Sequence, residues 1–302
     1  MSIKLALEEL HLNELAVEND IPLSKHSSFR IGGNCALGIF PQSADELKRA
    51  VLILRKHQIK YNVVGRASNI VFSDNGYDGA LVFTEKMNSV MLQGHKTIYA
   101  EAGATLKTIA NFALANSLSG LEFAHGIPGS LGGGVFMNAG AYGGEIADSI
   151  KYTDCYDIAE NRFLRLNKEE QRFSYRHSVF ANNKNLVVLG ACFELNPLDQ
   201  ELIKATMNEN MQKRKEKQPL EYPNAGSTFK RPLNGYAAQM IDECGLKGKT
   251  VGGAQVSTKH AGFVVNIGNA TASDVISLME IIKKEVYERF GVELEAEIQY
   301  IE

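Results

Sequence analysis

Residues 126–144 read GIPGSLGGGVFMNAGAYGG, from Gly126 to Gly144, and hold eight of the chain's 27 glycines in nineteen residues. Each glycine weakens ordinary helix or strand. Such density inside an otherwise normal sequence points to backbone at positive φ or in close approach to a ligand, and phosphate groups need that approach. A flexible linker would also be glycine-rich, but linkers lack large apolar residues, whereas Ile127, Leu131, Val135, Phe136 and Met137 require burial.

Outside this block the composition is that of a soluble globular protein of two or three domains, with 302 residues, 44% hydrophobic and 22% charged. A net charge of −3 offers no general attraction for nucleic acid or an anionic membrane, so an anionic ligand must meet local charge. The expected partner is a small molecule, with neither nucleic acid nor membrane. Cys35, Cys155, Cys192 and Cys244 have no CxxC spacing, which predicts no metal site and no disulfide framework and suits a reducing cytoplasm. The first twenty residues carry acids among their apolar positions and lack the basic start and apolar core of a signal peptide. No run approaches the roughly eighteen apolar residues that a membrane span needs.

Strand and helix signals alternate along the chain. Ser43 with Glu46 predicts a capping box that opens a helix through about His57, with Leu47, Val51 and Leu54 on one face. Extended segments are expected at 61–65, 80–83 and 97–101, then a helix at 105–116. Strands at 150–158, 161–165 and 186–194 precede a polar helix over 199–217. A short helix at 236–244 and strands at 250–256 and 262–266 follow. Val275, Leu278, Met279, Ile282, Val286 and Phe290 repeat at helical spacing, and ELEAEIQYI at 293–301 reads as a closing strand.

Gly65-Arg-Ala-Ser-Asn69 follows the expected strand around Val63 and Val64, as a phosphate-holding turn does. Backbone amides of such a turn can form an anion nest, although an ordinary turn would use the same residues. No GxGxxG opens a helix and no GxxxxGK[ST] occurs, which disfavours Rossmann and P-loop folds.

The chain also carries, in order, GlyxxSerAsn at 65–69, GlyIleProGly at 126–129 and MetAsnAlaGlyAlaTyrGly at 137–143. SerTyrArg at 174–176, AsnAlaGlySerThrPheLys at 224–230 and GluxGlu at 295–297 follow. Together these motifs resemble the UDP-N-acetylenolpyruvoylglucosamine reductase (UDP-N-acetylmuramate dehydrogenase) family over nearly the whole chain. The resemblance implies an α+β architecture with a vanillyl-alcohol-oxidase-type (PCMH) FAD-binding fold. Its two subdomains would be 1–85 and 86–200, with room for the C-terminal strand to return to the first, and 201–302 would form an α+β substrate-binding domain. It assigns Gly65, Arg66, Ala67, Ser68, Asn69, Gly126, Ile127, Pro128, Gly129 and Ser130 to the pyrophosphate of FAD. Asn138, Ala139 and Gly140 fall nearer the flavin. Backbone amides can neutralise a dianionic pyrophosphate without a basic protein. Relatives commonly have more glycine in the first loop than Arg66 and Ala67 leave here.

Reducing a vinyl ether attached to a carboxylate requires a hydride source, stabilisation of an enolate-like intermediate and a proton donor. The resemblance implies that Ser227 protonates C2 after flavin N5 delivers hydride to C3. A lone serine hydroxyl is a poor acid, so neighbouring charge and alignment must assist it. Arg176 matches the family's catalytic arginine, whose permanently charged fork suits a carboxylate or enolate oxygen. Glu297 matches the second acid of the closing motif and would act as a neutral donor, because a desolvated carboxyl near developing negative charge has a raised pKa. Lys217, Arg231 and His260 align with positions that contact a UDP-sugar.

Each of these residues also has an ordinary reading: Ser227 as turn structure, Arg176 as a surface side chain, Glu297 as a solvated strand carboxylate, Lys217 as a helix end, His260 as a turn cap. Gln299 stands where relatives often place arginine. Only a short stretch separates Arg176 from the next strand, so the chain resembles the type without the tyrosine-loop insertion. The implied activity is a cytoplasmic NADPH-dependent flavoenzyme, a monomer or weak oligomer, that converts UDP-N-acetylglucosamine enolpyruvate to UDP-N-acetylmuramate for the bacterial cell wall. FAD is the implied cofactor, NADPH the co-substrate, and no metal is expected; two half-reactions would share one pocket. A flavin oxidase of the same fold and a non-catalytic flavin or UDP-sugar binding module are the rivals, and neither needs Arg176, Ser227 and Glu297 together.

Overall fold

The computed structural model describes residues 2–302. The chain forms two compact units, one of Met1–Asn19, Leu37–Arg66 and Gly79–Lys213, the other of Asp20–Ala36, Ala67–Asp78 and Arg214–Glu302.

The first unit is organised by a five-stranded antiparallel sheet in the order Arg162–Asn167, Ile150–Asp157, Leu186–Glu194, Thr97–Glu101, Val90–Leu92. Its central strand, LVVLGACFE, is buried almost throughout, which is why it reads as a continuous apolar run rather than as an alternation. Val188, Ala191 and Phe193 pack with Leu106, Ile109, Leu131 and Val135 from the helices Leu106–Ala115 and Leu131–Phe136. Val187 and Leu189 pack in a second core with Leu47, Val51 and Leu54 of the helix Ala44–Lys56 and with Leu10 of the helix Ser2–Leu12. Tyr61–Val64 runs parallel to Tyr77–Phe83, with Val64 opposite Phe83.

Two local features differ from expectation. The Ser43 hydroxyl accepts from Glu46 N at 3.2 Å, but the Glu46 carboxylate turns one residue further back, to Gln42 N at 2.9 Å, so the box is offset. The glycine block also contains a regular element, the helix Leu131–Phe136, sequence LGGGVF. Tertiary contact overrides its poor propensity: a Cβ on Gly134 would stand 3.2 Å from Leu106 Cδ2, so glycine lets the two helices approach.

In the second unit, Thr250–Val251, Ala254–Val256 and Val264–Asn266 form an antiparallel sheet. The expected strand over 250–256 is broken at Gly252, where φ is 51°. The helix Ala272–Phe290 buries Val275, Leu278, Met279, Ile282 and Val286 against Val256, Val264, Phe29 and Val71, which is the stripe that its spacing predicts. Its start carries a full capping box, Asp274 N to Thr271 Oγ1 and Thr271 N to Asp274 Oδ2, both 3.0 Å. The expected closing strand over 293–301 shrinks to Gln299–Ile301, which runs parallel to Ile70–Phe72. The residues before it bond elsewhere, Lys230 N to Glu295 O and Glu297 N to Thr228 O, both 2.9 Å.

Asp74 adds a second cap to the same helix. Its carboxylate accepts from Ala272 N at 2.6 Å, Ser273 N at 3.0 Å and Ser273 Oγ at 2.7 Å. Desolvation opposes ionisation, but the hydrogen bonds from Ser273 and Ala272 outweigh it and hold the carboxyl below its ordinary value. Asp74→Ala should therefore cost about 1 kcal/mol at neutral pH by urea denaturation. A depressed folded-state pKa contributes stability above the unfolded value and loses it as pH falls through the folded value. The gap between variant and parent should accordingly close in acid below the usual aspartate range; a gap independent of pH would show that the charge is not what caps the helix.

Candidate active site

The first unit brings the start of the first glycine-bearing loop against the second. A Cβ on Gly65 would lie 1.9 Å from Ser130 Oγ, so the backbone of the first loop rests against the second with no room for a side chain. The second loop is fixed from behind by Leu131 N to Ala104 O and Gly132 N to Ala102 O, both 2.8 Å, and by Leu106 N to Gly129 O at 3.1 Å. Ser130 is 2% exposed and its hydroxyl has no hydrogen-bond partner among the described residues; although it occupies the N-cap of Leu131–Phe136, it makes no side-chain cap. A buried unpaired hydroxyl costs about 1–3 kcal/mol, a cost that a ligand acceptor would remove. His125, just before the block, is held neutral by burial and by the nearby Lys107, which both lower its pKa.

The Asn138–Gly140 end of the block meets the SerTyrArg motif. Ser174 and His177 exchange two backbone hydrogen bonds of 3.1 Å, closing a tight turn with Tyr175 and Arg176 at its tip, and Arg176 takes a φ of 53°. Arg176 Nη2 donates to Gly140 O at 3.0 Å, and the guanidinium lies 5.1 Å from the Tyr175 ring centroid. Asn138 is fully buried: its amide donates to Ser174 O and its carbonyl accepts from Ala147 N, both at 3.0 Å. The asparagine side chain thus secures the turn that presents Arg176.

The first loop is divided between the units, Gly65 and Arg66 in one and Ala67, Ser68 and Asn69 in the other. Ala67 is 4% exposed at a φ of 45°, a left-handed position where glycine would carry no strain. Asn69 donates from Nδ2 to Glu297 O at 3.0 Å and accepts at its own carbonyl from Gln299 N at 2.9 Å. On the other edge of the same segment, Glu297 N donates to Thr228 O at 2.9 Å and Phe229 bridges Ala296. Ser227 and Glu297 are therefore brought onto neighbouring antiparallel segments.

The remaining candidates also lie in the second unit. His260 accepts at Nδ1 from Gly262 N at 3.1 Å, which leaves its proton on Nε2, and its ring meets Phe263 edge-on at 5.0 Å. Desolvation, with smaller contributions from Lys247 and Lys217, lowers its pKa, so it is a neutral donor at Nε2. The neighbouring Lys259 donates from Nζ to Lys215 O at 2.6 Å, which ties this loop to the end of Gln200–Lys217. Arg231 lies 4.6 Å from the Tyr236 ring centroid, both side chains exposed. Tyr175 and Asn224 stand inside the SerTyrArg and AsnAlaGlySerThrPheLys motifs, which give them no supporting role, and Tyr236 lies outside every motif. Among the described residues no group of His, Cys, Asp and Glu could hold a metal ion, and no helix is long and apolar enough to cross a membrane.

A glycine whose Cβ would collide with the facing loop and an unpartnered buried hydroxyl beside it fit the pyrophosphate of FAD. Residues 36–167 match the FAD binding domain family, and the chain is accordingly an FAD-binding flavoprotein of the vanillyl-alcohol-oxidase type, with a separate C-terminal domain. Residues 218–301 match the C-terminal domain of UDP-N-acetylenolpyruvoylglucosamine reductase. The reductase of Clostridium novyi is 45% identical over 290 residues, 96% of this chain and 94% of the relative. That of Caldanaerobacter subterraneus is 46% identical over 293 residues, covering 97% and 94%. The crystal structure of the Thermus caldophilus enzyme superposes with a TM-score of 0.82 at 31% identity, over 95% of this chain and all of that one. The chain belongs to the UDP-N-acetylenolpyruvoylglucosamine reductase family, and FAD is its cofactor.

If the Gly65–Ser130 approach forms the cradle, Gly65→Ala should purify with little flavin and bind added FAD at least tenfold more weakly by fluorescence quenching. Gly65→Ala combined with Ser130→Ala, which removes the colliding oxygen, should recover part of that affinity. Full flavin content in Gly65→Ala would show that the two loops separate freely.

Proposed function

We propose that this chain is an NADPH-dependent flavoenzyme that reduces UDP-N-acetylglucosamine enolpyruvate to UDP-N-acetylmuramate, a cytoplasmic step of peptidoglycan precursor synthesis, acting as a monomer or weak oligomer. Family membership over almost the whole chain supports this reading. The observation that carries it beyond flavin binding is the pairing of the Ser227 and Glu297 segments through Glu297 N and Thr228 O at 2.9 Å, because a serine beside an acid is what protonation of an enolate carbon needs.

Bound FAD, once reduced by NADPH, supplies the hydride. Arg176 holds the substrate carboxylate and stabilises the enolate oxygen, a task for which the fixed turn between Ser174 and His177 orients its charge in advance. Ser227 gives its hydroxyl proton to C2 of the enolpyruvyl group, and Glu297 donates to the developing negative charge as a protonated carboxyl. Asn69, bonded to the carbonyl of Glu297 and to the amide of Gln299, keeps that acid in place without touching substrate. Lys217, Arg231 and the Nε2–H of His260 recognise the UDP-sugar. Gly65 to Asn69, Gly126 to Ser130 and Asn138 to Gly140 hold the cofactor.

Ser227→Ala separates the two half-reactions. In anaerobic stopped-flow experiments NADPH should bleach the flavin of this variant at the parental rate, while reoxidation by the enolpyruvyl substrate slows by roughly 10²–10⁴-fold. Parental turnover would remove Ser227 from the mechanism. Reoxidation of the parent enzyme faster by oxygen than by the enolpyruvyl sugar would instead make the chain an oxidase.

A further inference from the structure

Three buried side-chain polar atoms among the described residues lack a hydrogen-bond partner: His125 Nδ1, Ser130 Oγ and Gln218 Oε1. Two of these flank the cofactor loop, whereas Gln218 lies in the second unit, in a stretch with no role assigned so far. It follows Lys217, the last residue of Gln200–Lys217. Its main chain is fully engaged, with Gln218 N donating to Arg214 O at 2.9 Å and Leu220 N donating to Gln218 O at 3.0 Å. The turn that follows is held by Asn224, whose Nδ2 reaches Tyr222 O at 2.8 Å while its Oδ1 accepts from Gly226 N at 2.9 Å. One asparagine therefore couples the Gln218 turn to the residue before Ser227. On its other side, Lys215 O is bound by Lys259, next to His260. Gln218 thus follows Lys217 directly, in a turn whose bonds lead to the residues beside Ser227 and His260.

A desolvated carbonyl oxygen without a donor is unfavourable, and such groups persist where a bound molecule completes them. The chemistry of the missing partner is restricted. A neutral carboxamide oxygen cannot be satisfied by a diphosphate or a carboxylate, which offer acceptors only; it needs an N–H or O–H. A carboxamide also carries a donor beside its acceptor, and the complement of that edge is an N–H flanked by a carbonyl. The uracil imide has this pattern, N3–H between the O2 and O4 carbonyls. We propose that the Gln218 side chain reads the uracil of the nucleotide, with Oε1 accepting from N3–H and Nε2 donating to a flanking carbonyl. This makes Gln218 a specificity residue for the base, distinct from the cationic residues that meet the diphosphate, and it rests on the reading of the substrate as a UDP-sugar.

The test uses FAD-loaded protein with UDP and N3-methyl-UDP as competitive inhibitors of enolpyruvyl sugar reduction. The parent enzyme should prefer UDP over its N3-methyl analogue at least tenfold. Gln218→Met, nearly the same in volume, and Gln218→Ala, which makes room for the methyl group, should each reduce that preference to within about twofold. Both variants should keep parental flavin content and a parental rate of NADPH-dependent flavin reduction, which reports correct folding. An undiminished preference in the variants overturns the proposal. So does a rise in KM for the enolpyruvyl sugar with unchanged inhibition by UDP, which would place Gln218 on the acetamido group. Failure of the parent enzyme to reduce the enolpyruvyl sugar at all would instead refute the substrate reading itself.

Discussion

Asn69 holds the Glu297 segment of the second unit in register. Its side-chain amide donates to Glu297 O and its carbonyl accepts from Gln299 N, across 228 positions of chain. The segment it grips is not regular strand, so these bonds satisfy backbone groups that a ladder would otherwise take. The opposite edge of the segment is occupied by Thr228 O, which receives Glu297 N. Held on both edges, Glu297 has one backbone position beside Ser227, and the parallel pairing of Gln299–Ile301 with Ile70–Phe72 begins directly after it. Replacing this asparagine with a residue of similar size but no amide would remove the bond to Glu297 O and leave the main-chain bond to Gln299 N in place.

The long helices and the central strands are legible locally. Val275 to Phe290 repeat at the helical period, Ser43 and Thr105 sit at helix starts with their hydroxyls accepting from Glu46 N and Thr108 N, and LVVLGACF is apolar because both of its faces are covered. Other features depend on residues far away in sequence. Six residues of LGGGVF are helical because Leu106 packs against them, a context that intrinsic propensity does not contain. The closing alternation of carboxylates and apolar residues looked like one strand, yet Glu295 and Glu297 bond to the serine-bearing segment and only the last three residues join Ile70–Phe72. For the site, the family motifs named Arg176, Ser227 and Glu297 and set Asn69 and Asn138 at the cofactor, whereas the bracing bonds that Asn69 and Asn138 make to the Glu297 and Ser174 carbonyls are set by long-range contact.

Two buried polar side chains in the first unit show how its charge problem is solved. Asn138 has both ends of its amide engaged by protein and acts as a brace. The Ser130 hydroxyl has no partner among the described residues and lies beside Gly65. In a chain of net charge −3, fixed dipoles of this kind suit an anionic cofactor without a basic surface. Cations enter singly and are held in place, as Arg176 is by Gly140 O and Tyr175.

The interleaving of the units has a consequence for the growing chain. Everything in the first unit has been synthesised once Lys213 is made, but the second needs Asp20–Ala36, Ala67–Asp78 and the final stretch Arg214–Glu302 together. Phe29, Ile31 and Val71, all nearly inaccessible in the finished protein, must wait through more than two hundred residues of translation for the helix Ala272–Phe290 that covers them. Chains released early would display these side chains and the unpaired edge of Ile70–Phe72, the kind of surface that chaperones bind. The ribosome thus completes the first unit well before it supplies the strand Gln299–Ile301.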